Sequence, residues 1–260
     1  MAVNVDGVVQ HTSNLPLTYN INQPFTPTGA RPLPEWGQIT ITKTIGNYDY
    51  KAFLVRLEKR LSNHYQYQLA YTLSKQDTDF GWTDAYVHTQ DVGPSSSDRR
   101  HQLVMSGGIQ LPADVVAGII FSYRTPTPFT PSAGIDLNND GSTNDAVPGT
   151  HRGIGNRDNA AMLVAVNAYR ATRTPALPPI TESQIDTNMQ KKLDLRLTKG
   201  FNIGNSRKIE LVGQVFNLFG WDNLGGIGSS QVGNATAVNF GQIPTAQARQ
   251  QGEIAIRYSW

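Results

Sequence analysis

The chain has 260 residues, 38% of them hydrophobic and 16% charged, with 24 glycines, 15 prolines and no cysteine. That length allows one domain with a real interior, or two small ones, and the glycine and proline content excludes collagen-like and low-complexity sequence. Twenty-two Lys and Arg against 20 Asp and Glu leave a formal charge of +2, too even for a nucleic-acid-binding surface. The absence of cysteine removes disulfides, thiolate metal sites and a cysteine nucleophile. No apolar run approaches the length of a membrane-spanning helix, and MAVNVDGVVQHTSN at the start has neither the basic n-region nor the apolar h-region of a signal peptide.

Helical periodicity is nearly absent. Apolar residues instead alternate with polar ones along segments of about a dozen residues, the mark of half-buried strands. The first segment is 3–9. Residues 10–48 then read as an outside loop in which 38–42 is half of a hairpin turning at Gly46-Asn47. If 36–45 crossed a membrane instead, 10–35 would become an unusually long connection on the other side. In 49–61, Phe53, Val55 and Leu57 alternate with Leu54, Arg56 and Glu58. In 65–76, Tyr65, Tyr67, Leu69, Tyr71 and Leu73 alternate with Gln66, Gln68, Ala70, Thr72 and Ser74. Strands over 99–111 and 114–125 follow, the second placing Ile119, Phe121 and Tyr123 on one face. An Ala-rich stretch, 160–171, suits a short helix packed over the mouth of a barrel rather than a membrane-active one. Strands over 188–201 and 206–219 come next. The last segment sets Ile254, Ile256, Tyr258 and Trp260 against Glu253, Ala255, Arg257 and Ser259.

The connections alternate in length. Those at 62–64, 112–114 and 202–206 are tight turns, whereas 77–98, 126–187 and 220–248 are long and rich in Gly, Asn, Ser, Asp and Pro. A transmembrane barrel has short periplasmic turns and longer outer loops, and its tilted strands need about 9–11 residues each. The fold class is therefore all-β: an antiparallel transmembrane barrel segment of about eight strands filling residues 1–260 as one barrel domain.

The residues YKAFLVRLEKRLSNHYQYQLAYTLSKQ (50–76), DRRHQLVMSG (98–107), TPTPFTPSAGIDLNNDGSTNDAVPG (125–149), LDLRLTKGFNIGNSRKIELVGQVFNLFG (193–220) and the closing RYSW, with NINQP at 20–24, carry a resemblance. In this order they resemble the C-terminal part of the barrel of TonB-dependent outer-membrane receptors, in particular the Oar-like subgroup. The resemblance implies a Gram-negative outer-membrane location and a role in moving a bulky solute, captured by the three long loops. It implies contact with lipid and lipopolysaccharide, assembly by the barrel-assembly machinery, and coupling to the TonB complex only through a plug domain. Such receptors resemble barrels of roughly 22 strands around a plug. Signal peptide and plug are absent from these 260 residues, so the chain reads as a fragment of such a barrel. The resemblance further implies that Ile256, Tyr258 and Trp260 form the C-terminal assembly signal, with Trp where Phe is usual.

Among chemistry-bearing groups, Asp136, Asn138 and Asp140 followed by Gly141 match the start of a calcium loop. Ser142 and Asp145 are further oxygen donors, but Val147 stands where a bidentate acid is expected. An Asx-rich turn explains the same residues, so calcium is an expectation and no other cofactor is expected. Asp98, Arg99, Arg100 and His101 form a rim cluster that either touches a ligand or lipopolysaccharide phosphate or pairs to fix a loop base; the second is favoured. Asn217 in VFNLF reads as a bulge residue satisfying loop backbone. No HExxH, nucleophile elbow or phosphate loop occurs, and His88, Asp91 and Ser95–Ser97 make a triad only by chance, so no enzyme is expected. Two rival readings are a secreted soluble β-sheet binding protein with a calcium-stabilised loop, and an outer-membrane enzyme barrel. They differ from the first in which way the apolar strand faces look and in what the loops carry.

Overall fold

The structure is a computed structural model that describes residues 1–260 except 80–85, 87–90, 205–206, 226–232 and 248. Among the described residues it holds nine strands: β1 Ala2–Asn20, β2 Thr40–Ser62, β3 Tyr65–Thr78, β4 Gly93–Pro94, β5 His101–Leu111, β6 Val115–Arg124, β7 Gln190–Asn202, β8 Lys208–Phe216 and β9 Gln251–Ser259. One helix, α1 (Asn159–Ala171), and a 3₁₀ turn at Glu182–Gln184 lie between β6 and β7. The strands form one antiparallel sheet in the order β1-β2-β3-β5-β6-β7-β8-β9, with the short β4 paired to β3. Among the described residues β1 and β9 are its two edges.

The hairpin expected at Gly46-Asn47 does not exist. β2 runs straight through these residues, Asn20 faces Thr40, Thr18 faces Thr42 and Thr12 faces Tyr48. The chain between β1 and β2 is therefore 21–39 rather than 10–48. The physical reason is composition: Thr12, Thr18 and Tyr19 in 10–20, and Thr40, Ile41, Thr42, Thr44, Ile45 and Tyr48 in 40–48, favour strands, yet the two stretches lack strict apolar alternation. The turn falls instead where Pro24, Pro27, Pro32 and Pro34 forbid a ladder. Pro16 is tolerated because β1 is an edge, and the register shifts between Thr12 and Pro16 absorb its missing donor.

Two tight turns have a clear local cause. Asn63 and His64 (φ 53° and 69°), between the paired Ser62 and Tyr65, are both left-handed as a two-residue type I′ hairpin requires, and Ala113 and Asp114 (φ 62° and 54°) are left-handed within the three-residue connection between the paired Leu111 and Val115. The third, beyond β7, closes with Ile203 N–H donating to Arg207 O at 2.9 Å; its residues 205–206 lie outside the described set. These turns share one end of the sheet, and the connections 21–39, 125–189 and 217–250 share the other.

The register sorts side chains into two unlike faces. One row, Glu58–Gln68–Ser106–Ile120–Asp194, crosses five strands and lines a hollow of about 620 Å³ with Arg60, Arg196 and Gln214. Ion pairs stud this concave face: Arg56–Glu58 at 3.0 Å, Lys192–Asp194 at 3.0 Å and Lys208–Glu210 at 2.8 Å. The row beside it is Lys59–Tyr67–Gly107–Ile119–Leu195–Val215. That convex face leaves Phe53, Ile119, Leu197, Leu211, Ile254 and Ile256 exposed. The hydrophobic core lies elsewhere. Met162, Val166 and Tyr169 of α1 pack with Phe129, Val147, Ile154, Ile180 and Phe240 of the long connections. Of the strands' apolar side chains, Leu17 and Val212 alone are buried among the described residues. A sheet whose apolar face is open while its loops own the core has no use for that face in water.

Candidate functional site

Lysines mark both ends of the apolar face. In β2 they are Lys51 and Lys59, in β7 Lys191 and Lys199, and each pair is separated along its strand by about 26 Å at ~3.3 Å per residue. Lys59 Nζ sits 3.6 Å from the Tyr65 ring centroid, Lys199 Nζ 5.3 Å from Phe201 and Lys191 Nζ 5.0 Å from Trp221. The aromatics gather at the same two levels. Tyr65 stacks near Tyr67 and Tyr258 near Trp260 at the short-turn end, while Phe121 and Phe219 contact Trp221 at the other. An apolar band about 25 Å tall between aromatic girdles, with lysine stems reaching out of it, is what a bilayer selects.

Beyond the loop end of the sheet, residues 136–142 wind around their own side chains. Asp136 accepts from Asp140 N–H (3.2 Å) and Gly141 N–H (2.8 Å), Asn138 from Asp140 N–H (3.0 Å), and Asp140 from Ser142 N–H (2.7 Å). Ser142 Oγ donates to Asn144. Gly141 has φ +86°, a turn a side chain would strain. Asp145 lies beneath, 4% exposed; its Oδ2 accepts from Leu137 N–H at 2.5 Å and its Oδ1 has no hydrogen-bond partner. Burial raises the Asp145 carboxyl to about 6, Asp140 and Asp136 adding repulsion and the Leu137 and Asn138 amides opposing it. Two other segments rest on this loop. Asn139 Nδ2 donates to Pro27 O (3.0 Å), Tyr86 hydroxyl donates to Pro24 O (3.0 Å) and Asn139 O (3.3 Å), and the Arg31 guanidinium lies over Gly141.

The rim residues are used to tie the loop base down. Asp98, 3% exposed, accepts from Arg157 at 2.8 Å and from Gln76 N–H at 3.1 Å. Arg99 donates to Thr125 O (2.8 Å) and Arg100 to Ser74 O (3.3 Å), while His101 Nδ1 shares a 2.8 Å hydrogen bond with the Tyr71 hydroxyl. Burial lowers the Arg99 guanidinium, and the like charge of Arg124 lowers it further. At the chain end, Ile256, Tyr258 and Trp260 share the apolar face and are all exposed.

A family model described as an outer membrane beta barrel domain matches residues 1–253. The chain belongs to that family. Its fold is similar to that of the outer membrane transporter YddB from Escherichia coli, with a TM-score of 0.51 at 10% identity, covering 97% of this chain and 29% of that one. The chain thus spans under a third of that transporter's length. No curated protein matches it. As a member of the outer-membrane barrel family it is a protein of the Gram-negative outer membrane. No helix among the described residues is long and apolar enough to cross a membrane, which is irrelevant to a barrel that crosses with strands.

Of the residues singled out in the sequence, this barrel domain brings Asp136, Asn138, Asp140 and Ser142 into one winding loop and buries Asp145 under it. Among the described residues no group of three or more His, Asp or Glu side chains is arranged to hold a metal. Of the chance triad, His88 lies outside the described residues, the Asp91 backbone carbonyl accepts from Arg152 at 3.1 Å, and Ser95 and Ser97 share a 2.9 Å hydrogen bond. Asn217, where β8 ends, accepts from Trp221 N–H (3.1 Å), donates to Trp221 O (2.8 Å) and also donates to Arg249 O. Sequence reading missed Arg157, Arg170 and Asn22. Arg170, 2% exposed, donates to Pro178, Ala235 and Ala237 carbonyls. Asn22 donates to those of Leu33, Trp36 and Gly37. Asn22 stands in an uncharged stretch, whereas Arg157 adjoins Asp158 and Arg170 lies three residues before Arg173, so nothing local names their distant partners.

Proposed function

We propose that this chain is the C-terminal portion of the barrel of a TonB-dependent receptor of the Oar-like subgroup, forming part of the wall through which a bulky solute crosses the outer membrane. The observation that carries the reading is the two-faced sheet: apolar and exposed outward, ion-paired and hollow inward. In hydrocarbon every backbone group must be paired, so the open edges of β1 and β9 need partners. Strands from the rest of a larger barrel would supply them, which fits a chain matched over 97% of its length to 29% of a transporter. The connections 79–100, 125–189 and 217–250 then face the medium and capture solute, and Ile256, Tyr258 and Trp260 are read by the assembly machinery on edge strand β9. Lipopolysaccharide would meet the lysine and aromatic girdle nearest the long loops. Coupling to the TonB complex runs through a plug domain, which is not among these residues.

A secreted soluble sheet protein would need a second layer over the convex face, and no described element packs there. The test is amphiphile dependence. Purified chain is expected to stay folded only with detergent or lipid and to run faster on gels unheated than boiled. A monomeric, folded species in plain buffer overturns the reading.

A further inference from the structure

We propose that loop 136–145 is a calcium site that braces the outer connections, an inference independent of which solute the barrel carries. The observation that points to a ligand is Asp145. It is 4% exposed, and although Leu137 N–H donates to its Oδ2, its Oδ1 accepts nothing. A buried carboxylate oxygen without a donor is costly unless a cation or proton meets it. Asp136 and Asp140 add like charge to it, so a cation meeting Asp145 Oδ1 also offsets their repulsion.

The donor set selects the ion. Side-chain oxygens at 136, 138, 140 and 145, with the carbonyl of Ser142, are hard ligands, and neither histidine nor thiolate is among them. Calcium completes its shell with amide oxygens, carbonyls and water as well as acids, so the three carboxylates need not converge by themselves. Asp145 takes the part of the bidentate acid missing at Val147. A flexible loop with this mixed set suits calcium better than magnesium, which demands a near-ideal octahedron and keeps its waters. The consequence reaches beyond the loop. Asn139 holds Pro27 and receives Tyr86, so fixing 136–145 also fixes the connection 21–39 against it.

The full chain in detergent, stripped with chelator, is titrated with calcium chloride by calorimetry and digested in parallel with a loop-cutting protease. Saturable binding near one ion per chain is expected, with protection of 21–39. Asp145→Asn keeps the acceptor for Leu137 N–H and is expected to weaken calcium about tenfold or more without lowering the calcium-free melting temperature. Asp136→Asn serves if the first variant does not fold. No saturable binding by about 10 mM calcium, above the range of extracellular calcium modules, overturns the proposal. So does wild-type affinity in the variant that folds, or magnesium binding as tightly as calcium.

Discussion

Arg157 and Asp98 stand 59 residues apart in the chain and meet at 2.8 Å, with Asp98 almost wholly buried and Arg157 about a quarter exposed. Removing the arginine strands a buried carboxylate and frees the carbonyls of Asp98 and Pro126. Arg157→Ala is expected to cost about 2–3 kcal/mol, seen as a lower melting temperature and earlier cleavage within 125–189. Asp145 supplies a pH dependence of definite sign. Its folded pKa, about 6, is above its ordinary 3.8, so between those values the folded chain holds more protons than the unfolded one. Its stabilising contribution is complete below the ordinary value and lost as pH rises through about 6. With chelator present, the loops are expected to melt higher at pH 5 than at pH 7, and Asp145→Asn to flatten that difference. The sequence announces Asp136, Asn138 and Asp140 as a motif because their spacing is local. Nothing local says that Asp145 is buried beneath them.

Helix α1 is the element on which the outer connections pack. Asp158 caps it by accepting from Ala161 N–H at 2.9 Å, and Met162, Val166 and Tyr169 recur on one face. Met162 is fully buried and Val164 is 74% exposed. Met162→Ala is therefore expected to cost about 2–4 kcal/mol, and Val164→Ala less than about 0.5 kcal/mol, in chemical denaturation followed by a probe in the loops. Gly155 has its own requirement, since a Cβ there would lie 2.3 Å from the Phe129 ring. The stretch 160–171 was readable as a helix from its alanines. Its partners Phe129, Phe240 and Ile180 were not, because irregular loops carry no period to show which residues turn inward. Strands β1 and β2 teach the converse. Their outer halves are long and paired, yet reading by apolar alternation stops where the apolar band stops.

For the whole molecule the decisive contrast is between neighbours on one strand. Ile119 pairs with Leu195 on the convex face and Ile120 with Asp194 on the concave one. Ile119→Arg places a charge near the middle of the apolar band and is expected to cost about 2–4 kcal/mol. Ile120→Arg faces Asp194 and is expected to stay within about 1 kcal/mol. Folding titrations in lipid vesicles separate the two, and equal costs would remove the assignment of faces. Strand alternation, tight turns and band height follow from the sequence by itself, because a strand's two sides are set by a period of two and each side meets a single solvent. The joining of Asp98 to Arg157, the burial of Asp145 and the core around α1 were decided by tertiary structure, because those contacts close long irregular loops whose local residues fit many conformations equally well.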